Sequence, residues 1–136
     1  MKDKVFVDTD IIYDVLANRD PFYGHAAKLL TLADEGKIII AVSALTIANI
    51  HYLLSKQLSG EMAKQVLRNF KILVQIVAID DKIIDLALNS EFIDFEDAVQ
   101  HYCALENGCT KILTRNLRDY KKALIPVMTA QDYTNL

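Results

Sequence analysis

The sequence predicts an α/β fold in which a parallel sheet of four to five strands carries helices on both faces. Three observations support this. Short β-branched and aromatic runs recur at residues 5–7, 37–42, 74–79 and 111–114. Stretches of helical periodicity, closed by Gly, Asn or Pro, lie between them. The strand at 37–42 is apolar throughout rather than alternating, as a strand buried on both faces is. Strand–helix alternation of this kind builds parallel sheets through crossover connections.

The elements follow in order. Val5-Phe6-Val7 ends on Asp8, and Asp10 follows two residues later at the expected cap of a short helix over 11–16. Asn18-Arg19-Asp20-Pro21 stops that helix. The spacing of Phe22, Ala26, Leu29, Leu30 and Ala33 predicts a second helix, terminated at Gly36. After the strand at 37–42, Ser43 suits the N-cap of a helix over 44–56. Ser59 or Gly60 opens a fourth helix through Met62, Val66, Leu67 and Phe70. Asp80 caps a helix through Ile83, Ile84, Ala87 and Leu88. Asp94 caps another over 95–106, closed by Asn107-Gly108. Residues 115–120 form a turn, and 125–128 a weak fifth strand whose Pro126 confines it to an edge. Thr129 caps a last short helix over 130–133.

At 136 residues, with 52% hydrophobic and 24% charged, the chain reads as one globular domain over 1–136. The net charge of −3 means that any nucleic-acid partner must be held by a local basic patch or through metal ions. No apolar run is long enough for a membrane span and no leader pattern opens the chain, so a cytoplasmic protein is expected. Cys103 and Cys109 read as small buried hydrophobes. Together with His101 they could be imagined as a zinc site, but their spacing matches no familiar pattern and a fourth ligand is missing.

The chemistry concentrates in the acids. A buried parallel strand delivers its last residue to the carboxyl edge of the sheet, where open α/β folds place their ligands. Asp8 leaves the first strand there, and Asp119 lies in the turn after the fourth. Asp97 stands in the first turn of the helix before that strand, and the segment 89–93 is long enough to bring this helix start to the same edge. Each acid has a plain alternative: Asp8 and Asp10 as helix caps, Asp94 with Asp97 as a capping box, Asp119 as a turn residue. Gathered at one edge, however, like charges repel unless cations sit between them.

Val7-Asp8-Thr9-Asp10-Ile11, then Asp94-Phe95-Glu96-Asp97-Ala98, then Thr114-Arg115-Asn116-Leu117-Arg118-Asp119-Tyr120 resembles the PIN-domain ribonucleases, in particular the VapC-like toxins. The match is ordered and spans the chain from Lys4 to Met128. It implies a PIN-like three-layer fold, a metal site for Mg²⁺ or Mn²⁺ at Asp8, Asp97 and Asp119, and cleavage of single-stranded RNA by the same three acids. Asp10, Ser43, Asn49, Asp94, Thr114 and Asn116 fall in supporting positions. Arg115 and Arg118, with Lys121 and Lys122 beyond them, could steer the RNA backbone. The resemblance also implies an antitoxin protein partner and a homodimer, with Tyr52, Leu53 and Leu54 either at a dimer face or in the core.

One position departs from the pattern. The family usually has a glutamate on the helix after the second strand, where Ser43-Ala44-Leu45-Thr46-Ile47-Ala48-Asn49 has an amide. That removes a negative charge, for which Asp10, Asp94 and Glu96 are the candidate replacements, and it keeps open a PIN-like module that binds without cutting. A second rival is a phosphatase of the haloacid-dehalogenase type, built on Asp8-Thr9-Asp10, Ser43 and Asp80-Asp81. It lacks the usual Gly-Thr, replaced here by Ile11-Ile12, and leaves Asp97 and residues 114–119 without a role.

Overall fold

The computed structural model describes residues 2–136. Five parallel strands form one sheet in the order β3-β2-β1-β4-β5: β1 Asp3–Val7, β2 Ile38–Ser43, β3 Gln75–Val77, β4 Lys111–Leu113 and β5 Val127–Met128. Seven α-helices flank it among the described residues: α1 Thr9–Leu16, α2 Tyr23–Asp34, α3 Ala44–Leu54, α4 Gly60–Lys71, α5 Asp81–Leu88, α6 Phe95–Glu106 and α7 Ala130–Thr134. The turn after β4 is a 3-10 helix, Leu117–Tyr120.

The side-chain period of two divides the strands between two cores. Val5, Val7, Ile40, Val42 and Leu113 face α1, α2, α3, α4 and α7. Phe6, Ala41 and Ile112 face α5 and α6. Three layers result, with β1 at the centre, where Val5, Phe6 and Val7 are wholly buried. The chain steps from β1 to β2 to β3 through helices of the first layer, then returns past β1 to β4 through α5 and α6. Because crossovers keep one hand, reversing direction puts the returning helices on the opposite face. The order therefore switches at β1, between β2 and β4, and this is where ligands of open α/β sheets bind.

Helix ends fall where the sequence marks them. Ser43, Ser59, Asp80, Asp94 and Thr129 each accept a backbone N–H of the first turn. Asn18, Gly36 and Gly108 follow α1, α2 and α6 with φ of 58°, 74° and 70°. In each case the next N–H closes on a carbonyl five residues back, in Schellman geometry.

Three expectations change. The third strand is only Gln75–Val77, and β3 is an edge with Gln75 and Ile76 exposed. The first helix starts at Thr9, so Asp8 is its N-cap and Asp10 lies in its first turn. The route back to the carboxyl edge also differs. Lys82, near the start of α5, pairs with Glu106 at the end of α6, so the two helices are antiparallel. Helix α5 itself, not the segment 89–93 alone, carries the chain back, and that segment is only the hairpin between them. No helix of the described residues is long and apolar enough to cross a membrane.

Candidate functional site

Asp8 is held at the carboxyl edge by both its backbone and its side chain. Its own N–H extends the ladder to Leu113 O at 2.9 Å, and its carboxylate is only 8% exposed. Oδ1 accepts from Thr9 N at 2.8 Å and Gln100 Nε2 at 3.1 Å. Oδ2 accepts from Thr114 Oγ1 and Tyr120 OH, both at 3.0 Å. Four donors hold the buried charge without a basic partner, which is how such a group avoids the full cost of desolvation. Burial, and then the Asp8 charge, push the Tyr120 phenol far above its ordinary range, so it stays a donor.

Behind Asp8 lies a buried polar chain. Ser43, which caps α3, also donates to Gln100 Oε1. Gln100 Nε2 reaches Thr46 Oγ1 at 2.9 Å, and Thr46 Oγ1 meets Thr9 Oγ1 at 2.8 Å. Ser43, Thr46 and Gln100 are essentially inaccessible to solvent. Thus α3 and α6 are tied to the start of α1 through side chains whose polar atoms all have partners. Sequence reading found Ser43 but missed the role of Gln100. A glutamine on the apolar face of α6, three residues after Asp97, was the available signal.

Asp10 sits beside Asp8. Its Oδ2 accepts from Arg115 N at 3.0 Å and stands 3.4 Å from both Thr114 Oγ1 and Asn116 Nδ2. Desolvation, and then the neighbouring Asp8, raise its carboxyl to about 6. Arg115, which the sequence placed among the cations that could steer RNA, is held within the protein. Its guanidinium forks onto Asp14 (Nε to Oδ2 2.8 Å, Nη2 to Oδ1 3.3 Å) and stacks 4.0 Å from the Phe22 ring centroid. Asp14 is 1% exposed and was not singled out from sequence, where it looked like one more acid on a short helix. Arg118 remains exposed.

On the other flank, Asp94 caps α6 by accepting Asp97 N at 3.0 Å, half of a capping box. The Asp97 side chain is half-buried and faces the acids. Desolvation first, then Asp94, Asp8, Asp119 and Glu96, lift its carboxyl to about 7. Glu96 is raised too, by burial and by Asp94 and Asp8. Asn49 Nδ2 donates to Glu96 Oε1 at 3.3 Å. A carboxylate from α6 therefore stands beside the α3 position where sequence reading found a missing charge. Asp119, exposed on the 3-10 turn, lines a cleft with Asp97, Arg118, Lys121 and Lys122.

The donor set is that of a hard divalent cation: carboxylate oxygens with hydroxyl and amide neighbours, and acids that raise one another. Asp97, Glu96 and Asp119 make no ion pair among the described residues. In charge and chemistry these residues fit such an ion. In position they are more open, for no three His, Cys, Asp or Glu side chains of the described residues converge closely enough to enclose one.

The two other arrangements read from sequence are not assembled. His101 Nε2 accepts Leu124 N at 3.0 Å, and no three His, Cys, Asp or Glu side chains of the described residues come together there to hold a metal ion. Asp80 caps α5 by accepting Ile83 N at 3.0 Å and lies near Cys103 of α6.

This fold and edge define an acid-bearing three-layer α/β domain, and the PIN-domain model matches residues 4–118. The chain belongs to the PIN-domain family. It is 23% identical over 136 residues to the protein described as Ribonuclease VapC1 of Aquifex aeolicus, covering 96% of this chain and 93% of that one. Its fold is similar to that in a toxin–antitoxin complex from Klebsiella pneumoniae (TM-score 0.70, 22% identity, 93% and 97% of the two chains covered). It is also similar to that in VapBC2 of Rickettsia felis bound to a promoter DNA fragment (TM-score 0.69, 19% identity, 92% and 96% covered).

Proposed function

We propose that this chain is a divalent-metal-dependent endoribonuclease that cleaves single-stranded RNA, and that it is the toxin of a toxin–antitoxin pair. The observation that carries the proposal is the gathering of Asp97 with Asp94, Asp8, Asp119 and Glu96 at the switch point of the sheet, where burial first and then these neighbours raise its carboxyl to about 7. The names of the relatives, a ribonuclease and toxin–antitoxin complexes, support the reading.

Asp8, Asp97 and Asp119 are the residues that would hold Mg²⁺ or Mn²⁺, with Glu96 supplying the charge that Asn49 lacks. When bound, such an ion polarises the phosphoryl group and lowers the pKa of a water. The protein's own part is positional. Thr9, Gln100, Thr114 and Tyr120 fix the position of the Asp8 carboxylate, and because they occupy both lone pairs of each oxygen, one of these donors would have to turn aside for a cation. Arg118, Lys121 and Lys122 border the cleft beside Asp97 and Asp119 and can receive backbone phosphates. The reading without catalysis is weakened by the Asn49–Glu96 contact. The partners of the proposal are an antitoxin protein and a second copy of the chain, as the resemblance implies.

The test is incubation of the purified chain, free of partner, with single-stranded RNA and Mg²⁺ or Mn²⁺. Cleavage abolished by EDTA and by Asp8→Asn is expected. A folded wild type that leaves the RNA intact with both metals overturns the nuclease and favours the binding module.

A further inference from the structure

A cleft of about 350 Å³ opens between α1, α2, the turn after β4 and the start of α7. Phe22, His25, Arg115, Asn116 and Gln131 line it, with the buried Asp14 in its wall. Its size is at the small end of ligand pockets, which suits one flat ring system rather than a folded peptide.

Two features say what kind of ring. First, the cleft is not isolated. Arg115 and Asn116 also line a second cleft with Arg118 and Asp119, and those two residues line the third, with Asp97, Lys121 and Lys122. Shared walls make one track, running from Phe22 past the acids to a basic end. Asn116 stands at its first junction, with Nδ2 3.4 Å from Asp10 Oδ2. Second, the wall is already a stacking surface. Phe22 is 39% exposed, and the Arg115 guanidinium lies over its ring at 4.0 Å, held in orientation by both oxygens of Asp14. Arg19 also approaches Asp14 at 3.6 Å, so two guanidinium groups share one carboxylate. A polyanion with flat bases fits both features. Unpaired bases stack on aromatic rings and guanidinium planes, and amides such as Asn116 and Gln131 reach their edges.

We propose that this cleft receives one unpaired nucleobase of the RNA, beside the phosphate presented to Asp8, Asp97 and Asp119. The proposal rests on the nuclease reading for its substrate but is tested by binding, so the two can fail separately.

The experiment measures fluorescence anisotropy of labelled hexaribonucleotides (A6, C6, G6 and U6) against an abasic hexamer of equal charge, in EDTA. For the wild type, at least one base-bearing hexamer should bind about tenfold more tightly than the abasic one, the effect of one stacked base. Phe22→Ala should bring that oligomer down to the abasic level while leaving abasic binding unchanged. Gln131→Trp, which fills the cleft from an exposed position, should do the same, and circular dichroism checks both folds. A wild type with no preference for bases overturns the proposal. So does a preference that survives both variants, or a Phe22→Ala loss shared equally by the abasic hexamer. If Phe22→Ala instead weakens only a protein partner, the cleft belongs to that partner and the base assignment falls. Wild-type cleavage without base preference sinks the cleft alone, and base-dependent binding without cleavage in Mg²⁺ sinks the nuclease alone.

Discussion

Asp97→Asn should make the metal-free protein more stable at pH 8. Asp97 donates no side-chain bond, and its carboxyl is lifted from 3.8 to about 7 by burial and by four neighbouring acids. The folded protein thus keeps a proton that the unfolded chain releases above pH 4. Stability contributed at this site is therefore intact below the unfolded pKa and falls as pH rises through 7. The full shift corresponds to about 4 kcal/mol, but the side chain is only half-buried, and solvent screening reduces the expected gain to about 1 kcal/mol. For a chain of this length that is a rise in Tm of about 4 °C at pH 8 in EDTA, and less than half of that at pH 5. Mg²⁺ should stabilise the wild type and so narrow the gap. Thermal melts at both pH values, with EDTA and with Mg²⁺, read the effect. A variant that is destabilised at pH 8, or equally stabilised at pH 5, refutes the repulsion argument.

Asp14→Ala strands the Arg115 guanidinium, whose side chain is 29% exposed, and should cost about 3 kcal/mol in urea unfolding; a loss under about 0.5 kcal/mol contradicts a structural role for the pair. Tyr120→Phe removes one of two donors to Asp8 Oδ2 and should cost about 1–2 kcal/mol by the same measurement. Glu96→Gln should weaken Mn²⁺ binding by about tenfold through lost ligand charge, and adding Asn49→Glu should restore it. Calorimetry checks this, and a double variant no better than Glu96→Gln argues against Glu96 standing in for the α3 carboxylate.

The sheet and most helix ends were legible because local chemistry decides them. Caps such as Ser43, Asp80 and Asp94, and stops such as Gly36 and Gly108, need only a few neighbouring residues to act. The ordered acids Asp8, Asp97 and Asp119 were legible for a similar reason, since strand ends and a helix start fix their level in the sheet. What sequence could not give was pairing across distance. Asp14 with Arg115 spans a hundred positions, and nothing local distinguishes Asp14 from an exposed helical acid. Gln100 under Asp8 was hidden in the same way, on a face where a glutamine breaks the apolar pattern without naming its partner. The direction of α5 was missed because its start depends on how residues 78–80 cross the sheet edge, which periodicity does not encode. Asn49 read as a lost charge from sequence, and only its 3.3 Å contact with Glu96 shows a carboxylate nearby.

The most direct measurement is Mn²⁺ binding to the metal-free chain, followed by electron paramagnetic resonance at pH 7.5, for the wild type and Asp8→Asn. Asp8 is the locked member of the acid edge, so saturable binding by the wild type that is lost in a folded Asp8→Asn is the predicted result. Binding that is absent from the wild type, or unchanged by Asp8→Asn, contradicts a cation site at this edge.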